Sequence, residues 1–311
     1  MTNGLLLMDK PAGMSSARLV SCIKKLSGAK KAGHAGTLDP FATGLMICCL
    51  NRATKLSGFF LHGGKSYEAV LCLGTETDTQ DCTGNITGSY DCPDFSAEQL
   101  ENVFSSFSGT IQQTPPVYSA LKHQGVPLYR LARKGQVVEK PAREVHISEI
   151  SIMEIRLPEI RFRVSCSGGT YIRTLASDIG RMLGCGAHLR ALRRTACGDF
   201  SMEKALTLPA AEELSLSGRL HERIISMNDA LPRMPSYTAD AVLEQRIMHG
   251  KPLNCKHIPF PESAKGEENL KVLNTNGDLL ALLNCKKEEN RYNYSCVFIS
   301  NMDNKENRVI Q

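Results

Sequence analysis

Three stretches of this chain, Ser66–Leu73, Glu144–Ile155 and Ile160–Cys166, read as β-strands, and their alternation limits the folds open to it. A strand sends successive side chains to opposite faces, so period-two alternation marks strands with one covered face. Arg161 and Arg163 alternate with Phe162 and Val164, and the last two runs read as a pair; in the first, Tyr67 and Ala69 lie opposite Glu68 and Val70. A half-covered sheet needs a second layer, and helical patterns are at hand to supply it. Leu19, Cys22, Ile23 and Leu26 fall at i, i+3, i+4, i+7, a helix begun by Ser15 or Ser16 and ended by Gly28. Ala97–Phe107 also reads as helix, as does the segment after Gly169, with Ile172, Leu175, Ala176 and Ile179 on one face. The predicted class is α+β on a mixed sheet.

A chain of 311 residues suits two domains. Gly4–Met8 and Gly44–Leu50 read as strands, and Thr75–Pro93 as a polar, acidic surface loop or hairpin. Pro232–Pro235 reads as the linker. The expected division is therefore 1–231, with a basic insertion at about 119–143, and 232–311. The second part holds a short helix, Asp240–Met248, then short strands separated by Pro252, Pro259, Pro261 and Gly277, a small β-barrel-like module. No internal repeat is present.

A composition of 42% hydrophobic and 22% charged residues excludes a disordered or fibrous chain. The longest apolar runs fall well short of the ~18–20 residues that span a bilayer. Leu5–Leu7 has no basic residues before it and Asp9 just after it, unlike a signal peptide, so a cytoplasmic location is expected. The twelve cysteines form no C-x-x-C pair, and the loosely spaced Cys185, His188 and Cys197 read as small buried residues rather than as metal ligands. Net charge is only +5. Clustering says more: Lys122, Arg130, Arg133, Lys134, Lys140 and Arg143 stand against Glu139 alone, and Arg190, Arg193 and Arg194 form a second group. Both read either as phosphate-binding patches or as solvated surface charge.

The segment Gly33-His34-Ala35-Gly36-Thr37-Leu38-Asp39-Pro40-Phe41-Ala42-Thr43-Gly44 is where chemistry concentrates. Glycines let a loop approach a ligand closely, and a carboxylate set before proline is held in extended backbone. On local grounds alone, a connecting loop with a turn-capping Asp39 is the better reading.

The segment resembles the active-site motif of the TruB family of tRNA pseudouridine synthases, in which the aspartate is the nucleophile. Further resemblances follow in family order. Gly4-Leu5-Leu6-Leu7-Met8-Asp9-Lys10-Pro11 through Ser16 is similar to the amino-terminal signature, and Lys65-Ser66-Tyr67-Glu68-Ala69 to the tyrosine-bearing strand. Pro115-Pro116-Val117-Tyr118-Ser119-Ala120-Leu121-Lys122 resembles the start of an RNA-gripping insertion. Gly168-Gly169-Thr170-Tyr171-Ile172-Arg173-Thr174-Leu175 and Leu192-Arg193-Arg194 resemble the remaining site elements. The carboxy-terminal module is similar to a PUA-like RNA-binding module.

The resemblance implies isomerisation of the T-loop uridine, position 55, in tRNA. Asp39 is then the nucleophile, and Arg173 the cation that keeps it ionised in a dry pocket. Tyr67 stacks on the flipped uracil, and its oxygen is placed for the late deprotonation at C5. His34 fills the gap the flipped nucleotide leaves. Tyr171 and Leu192 contact the substrate, and Lys122 and Arg130 meet phosphate. On local grounds alone Tyr67, Tyr171 and Leu192 read as core, His34 as a loop residue and Arg173 as a surface arginine. The expected partner is the T-arm of tRNA, with no membrane, no required protein partner and a monomeric enzyme. An isomerisation oxidises nothing, so no metal or cofactor is expected. The rival readings are a pseudouridine synthase acting on another RNA, a tRNA-folding chaperone with secondary catalysis, and a carboxylate glycosidase, which would want a second paired acid.

Overall fold

The computed structural model describes residues 2–259, 269–286 and 288–298. Residues 6–223 pack as one unit, and Thr2–Leu5 pack with the residues from Ile224 onward as a second.

The chain opens with β1 (Gly4–Lys10), α1 (Ser16–Leu26), β2 (Ala32–His34) and β3 (Thr43–Leu50). Ser15 accepts the Arg18 N–H and caps α1, and the apolar stripe buries Leu19 and Ile23. A short helix α2 (Ser57–Leu61) leads to β4 (Lys65–Leu73), whose residues alternate between buried and half-buried along its whole length. The hairpin β5 (Thr75–Thr77) and β6 (Ile86–Ser89) follows, then α3 (Ala97–Ser105), closed at its start by a reciprocal Ser96–Gln99 capping box. After β7 (Gly109–Gln113) comes the basic insertion, with the small hairpin β8 (Lys122–His123) and β9 (Val126–Pro127), then α4 (Leu128–Ala132). The long pair β10 (Arg143–Arg156) and β11 (Glu159–Cys166), α5 (Ile172–Met182) and β12 (Ala187–Cys197) complete the site-bearing frame.

These strands join in the order β1-β3-β12-β4-β11-β10-β7. β12 runs parallel to β3 and antiparallel to β4, so the sheet is mixed. The register of β4 against β11 sets Tyr67 opposite Val164 and Ala69 opposite Phe162. α3 and α5 cover the apolar face, where Phe104 meets Phe162 edge to face at 5.4 Å. Gly44 is obligatory at the β3–β12 contact: its φ is +103°, and a Cβ there would stand 2.3 Å from the Arg194 carbonyl oxygen.

In the second unit, β14 (Ser236–Thr238), β15 (Asn269–Leu273), β16 (Leu279–Lys286) and β17 (Arg291–Val297) form a four-stranded sheet in that order; the label β13 belongs to Phe200–Ser201, beside β12. A helix, Ala241–Met248, capped by Asp240, packs Leu243 and Ile247 on the sheet's Val272, Ala281 and Leu283. The small sheet fits a PUA-like module. Pro259 and Gly277 of the expected strand breaks are described, while Pro261 lies outside the described residues. Two features join residues distant in sequence. Leu5 and Ile225 exchange backbone hydrogen bonds at 2.9 and 2.8 Å, and Lys271 Nζ donates to the Asn228 and Leu231 carbonyls at 3.1 and 2.9 Å. Among the described residues, no helix is long and apolar enough to cross a membrane.

Candidate active site

The loop between β2 and β3 carries Asp39, and the amino-terminal motif holds it in place. Ser16 Oγ donates to the Leu38 carbonyl and accepts the Leu38 N–H, both at 2.8 Å. Beneath the Asp39–Pro40 turn lies Lys10, fully buried, with Nζ donating to the carbonyls of Pro11, Met14 and Pro40 at 2.8, 2.6 and 3.2 Å. Burial brings the Lys10 ammonium down to about 8, while Asp39 pulls it back up. Lys10 thus clamps the Asp39–Pro40 turn from beneath.

Asp39 faces a cavity of about 530 Å³ that also takes in Tyr67, Tyr171, Arg173 and Leu192. The structure thus brings together five of the residues singled out in sequence. Arg173 Nε stands 3.0 Å from Asp39 Oδ2, with the arginine side chain 5% and the aspartate 34% exposed. The same guanidinium is fixed from two other directions. Its Nη1 reaches Asp81 Oδ2 at 3.2 Å and the Thr79 carbonyl at 2.9 Å, and its Nη2 donates to the Tyr118 carbonyl at 2.8 Å. Burial pushes the Asp39 carboxyl above the usual aspartate range, opposed by Arg173 and reinforced by Asp81.

Tyr67 projects from β4, 6% exposed, opposite Arg194 of β12. Burial pushes its phenol up to about 12 although Arg194 draws it down, so the hydroxyl keeps its proton at neutral pH. Leu192, two residues along β12, gives an apolar wall. Tyr171 starts α5, and Gln113 holds its peptide at both ends: the Tyr171 N–H donates to Gln113 Oε1 at 2.8 Å, and Gln113 Nε2 donates to the Tyr171 carbonyl at 3.0 Å. The Arg143 guanidinium lies over the Tyr171 ring, 5.1 Å from its centre, and donates to the Gly169 carbonyl.

His34, Lys122 and Arg130 lie outside this cavity lining. His34 sits on β2 opposite Cys48, with a buried Nδ1 that has no hydrogen-bond partner among the described residues, and burial lowers its pKa. Lys122 and Arg130 are exposed on the insertion, together with Arg133 and Lys134.

Two expectations are corrected. Arg190, Arg193 and Arg194 are not one basic patch, because strand parity and local partners separate them. Arg190 pairs with Glu159 at 2.6 Å, and Arg193 takes Asp9 in a two-point grip at 3.1 and 2.7 Å. Arg194 is buried, donating to the Leu45 and Gly36 carbonyls at 2.7 and 3.2 Å. The stretch 75–93 is a hairpin as expected, but not a purely surface one. Its tip folds back to bury Asp81 at 3% exposure, where Thr79 and Thr83 saturate Oδ1 and leave Oδ2 for Arg173.

Known proteins resemble this chain over most of its length. Residues 24–172 match the family model described as TruB family pseudouridylate synthase (N terminal domain). Residues 173–231 match tRNA pseudouridylate synthase B C-terminal domain. A tRNA pseudouridine synthase B of Bordetella avium (strain 197N) is 51% identical over 215 residues, 68% of this chain and 88% of that protein. Its counterpart in Geobacter sulfurreducens is 42% identical over 250 residues, 80% of this chain and 82% of that protein. Among solved structures, a chain of a Cbf5-Nop10-Gar1 complex superposes with a TM-score of 0.74 at 27% identity, covering 95% of this chain and 85% of that one.

Proposed function

The chain belongs to the TruB family of pseudouridylate synthases, and from that premise we propose that it isomerises a T-loop uridine of tRNA, with Asp39 as nucleophile. The observation that carries this reading is the Asp39–Arg173 pair at the cavity wall. Arg173 is nearly sealed from solvent and held by three other acceptors, so it offers Asp39 a fixed positive charge. Asp39 is the more exposed partner, and the fixed cation opposes the burial that raises its carboxyl pKa.

The chemistry needs little else. The N1–C1′ bond of the uridine breaks, the uracil turns, and C5 joins C1′; C5 gives up its proton and N1 takes one, so substrate and product are isomers. A carboxylate that adds covalently to the nucleotide keeps the pieces together during the turn. The chemistry needs access to N1, C5 and C1′ of the uridine, which a stacked base does not give, so the uridine enters flipped out. Tyr67 offers a ring on which the base stacks, with a protonated hydroxyl, and Leu192 bounds the apolar side. The exposed cations of the insertion meet phosphate. Asp39, Tyr67, Arg173 and Leu192 line one cavity of this chain, and we further propose that the protein works as a monomer, without a protein partner, in the cytoplasm.

The reading is tested by incubating the protein with an unmodified tRNA transcript and mapping pseudouridine by carbodiimide adducts and primer extension. A stop at the T-loop uridine is expected; a stop elsewhere would move the substrate to another site or RNA.

A further inference from the structure

Six buried side-chain atoms among the described residues lack a hydrogen-bond partner, and three belong to residues that line the cavity: Ser119 Oγ, Arg143 Nε and Arg173 Nε. Arg173 Nε lies against the Asp39 carboxylate, and the Arg143 guanidinium is engaged with Gly169 and Tyr171. Ser119 is different. Its residue is 3% exposed, and its hydroxyl, both a donor and an acceptor, meets neither role. Leaving such a group buried and unpaired costs free energy, so its presence in a cavity wall asks for a ligand.

The backbone around Ser119 points the same way. The preceding carbonyl, Tyr118, accepts from Arg173 Nη2, so Ser119 is one residue from the Asp39–Arg173 pair. The Ser119 carbonyl accepts the Tyr129 N–H at 3.0 Å, and the Leu121 carbonyl accepts the Leu128 N–H at 2.7 Å. The start of the insertion's helix α4 thus fixes the position of Ser119. Rotation about one χ1 bond, between staggered positions, re-aims the hydroxyl without moving this backbone.

We propose that Ser119 Oγ is a substrate-contact group that hydrogen-bonds the flipped uridine in the cavity. The inference rests on the proposed function and adds to it a residue through which docking of the insertion is felt at the reacting nucleotide.

The test compares full-length wild type, Ser119→Ala and Ser119→Cys on one unmodified tRNA transcript, reading kcat, KM and Tm. A lost neutral hydrogen bond predicts a fall in kcat/KM of about three- to ten-fold in Ser119→Ala. Tm should stay the same or rise, since an unpaired buried hydroxyl has been removed. Ser119→Cys, similar in size but a weak donor, should lie between. Unchanged kcat/KM in Ser119→Ala overturns the inference. So does a fall in Tm that accounts for the activity lost in both variants, which would assign Ser119 to packing. If the wild type makes no pseudouridine, the proposed function itself fails; if it does and Ser119→Ala equals it, only this inference falls.

Discussion

Asp39 Oδ2 lies 3.0 Å from Arg173 Nε, and the two partners meet solvent unequally, the aspartate at 34% exposure and the arginine at 5%. The inequality gives the pair a direction. Arg173 is anchored and Asp39 is presented, which is the arrangement a nucleophile needs and a structural ion pair does not. The anchor is Asp81, whose Oδ1 is saturated by Thr79 and Thr83 and whose Oδ2 faces Arg173 Nη1.

Asp81→Asn is therefore a directed lesion. The amide oxygen can keep the Oδ1 contacts, but its NH2 would face the Arg173 guanidinium donor to donor. Turnover should fall at least about ten-fold, and stability by about 1–3 kcal/mol, the cost of a lost hydrogen bond to a charged group. Turnover assays beside thermal melts check this; wild-type turnover would mean that Asp81 does not set Arg173.

The pH dependence follows from the Asp39 environment. Burial raises its carboxyl pKa against the pull of Arg173. The ionised form is the working one, so a raised pKa means that activity is lost earlier as pH falls. The acid limb of kcat/KM should be centred above ~3.9, the ordinary aspartate value. A profile flat down to that value would contradict the assignment.

Much of this frame was legible because sheet physics is local. Alternation in Ser66–Leu73 fixed which residues face inward, and with it the inward turn of Tyr67. The coupling of Arg173 to Asp39 was legible only through family resemblance, since no periodicity links residues that far apart. Asp81 was missed because nothing local separates it from Asp78 and Asp91 in the same acidic stretch; burial came from the hairpin's return to α5. Gln113 and Ser119 carry no motif chemistry of their own. Arg194 had a usable signal: neighbours on one strand face opposite ways, so Arg193 and Arg194 cannot share a patch. The pairing of Leu5 with Ile225 is a long-range contact with no local mark.

Tyr67 holds its proton at neutral pH, so its hydroxyl and its ring can be separated. Tyr67→Phe keeps the stacking surface. If the oxygen takes part in proton removal from C5, turnover should fall about 10²–10⁴-fold with tRNA affinity nearly unchanged. Rapid single-turnover kinetics with a separate binding titration would show it; unaltered turnover would confine Tyr67 to stacking.

Lys122, Arg130, Arg133 and Lys134 are exposed on the insertion and do not line the cavity. Replacing all four by alanine should weaken tRNA binding and flatten its salt dependence, each true phosphate contact removing a slope of ~0.9 or less. Turnover at saturating RNA should change less than affinity. An unchanged salt slope would remove the insertion from the RNA interface.

The most direct test is Asp39→Asn. The substitution keeps side-chain size and removes the nucleophile, while Arg173 retains Asp81, Thr79 and Tyr118 as partners, so the fold should persist. The measurement is pseudouridine formed per folded molecule on an unmodified tRNA transcript, with tRNA affinity read on the same preparation. The account predicts no detectable pseudouridine and binding at least as tight as wild type, since a negative charge near phosphate has gone. Near-normal turnover, with only a loss of about 1 kcal/mol in stability as from a turn cap, would contradict it.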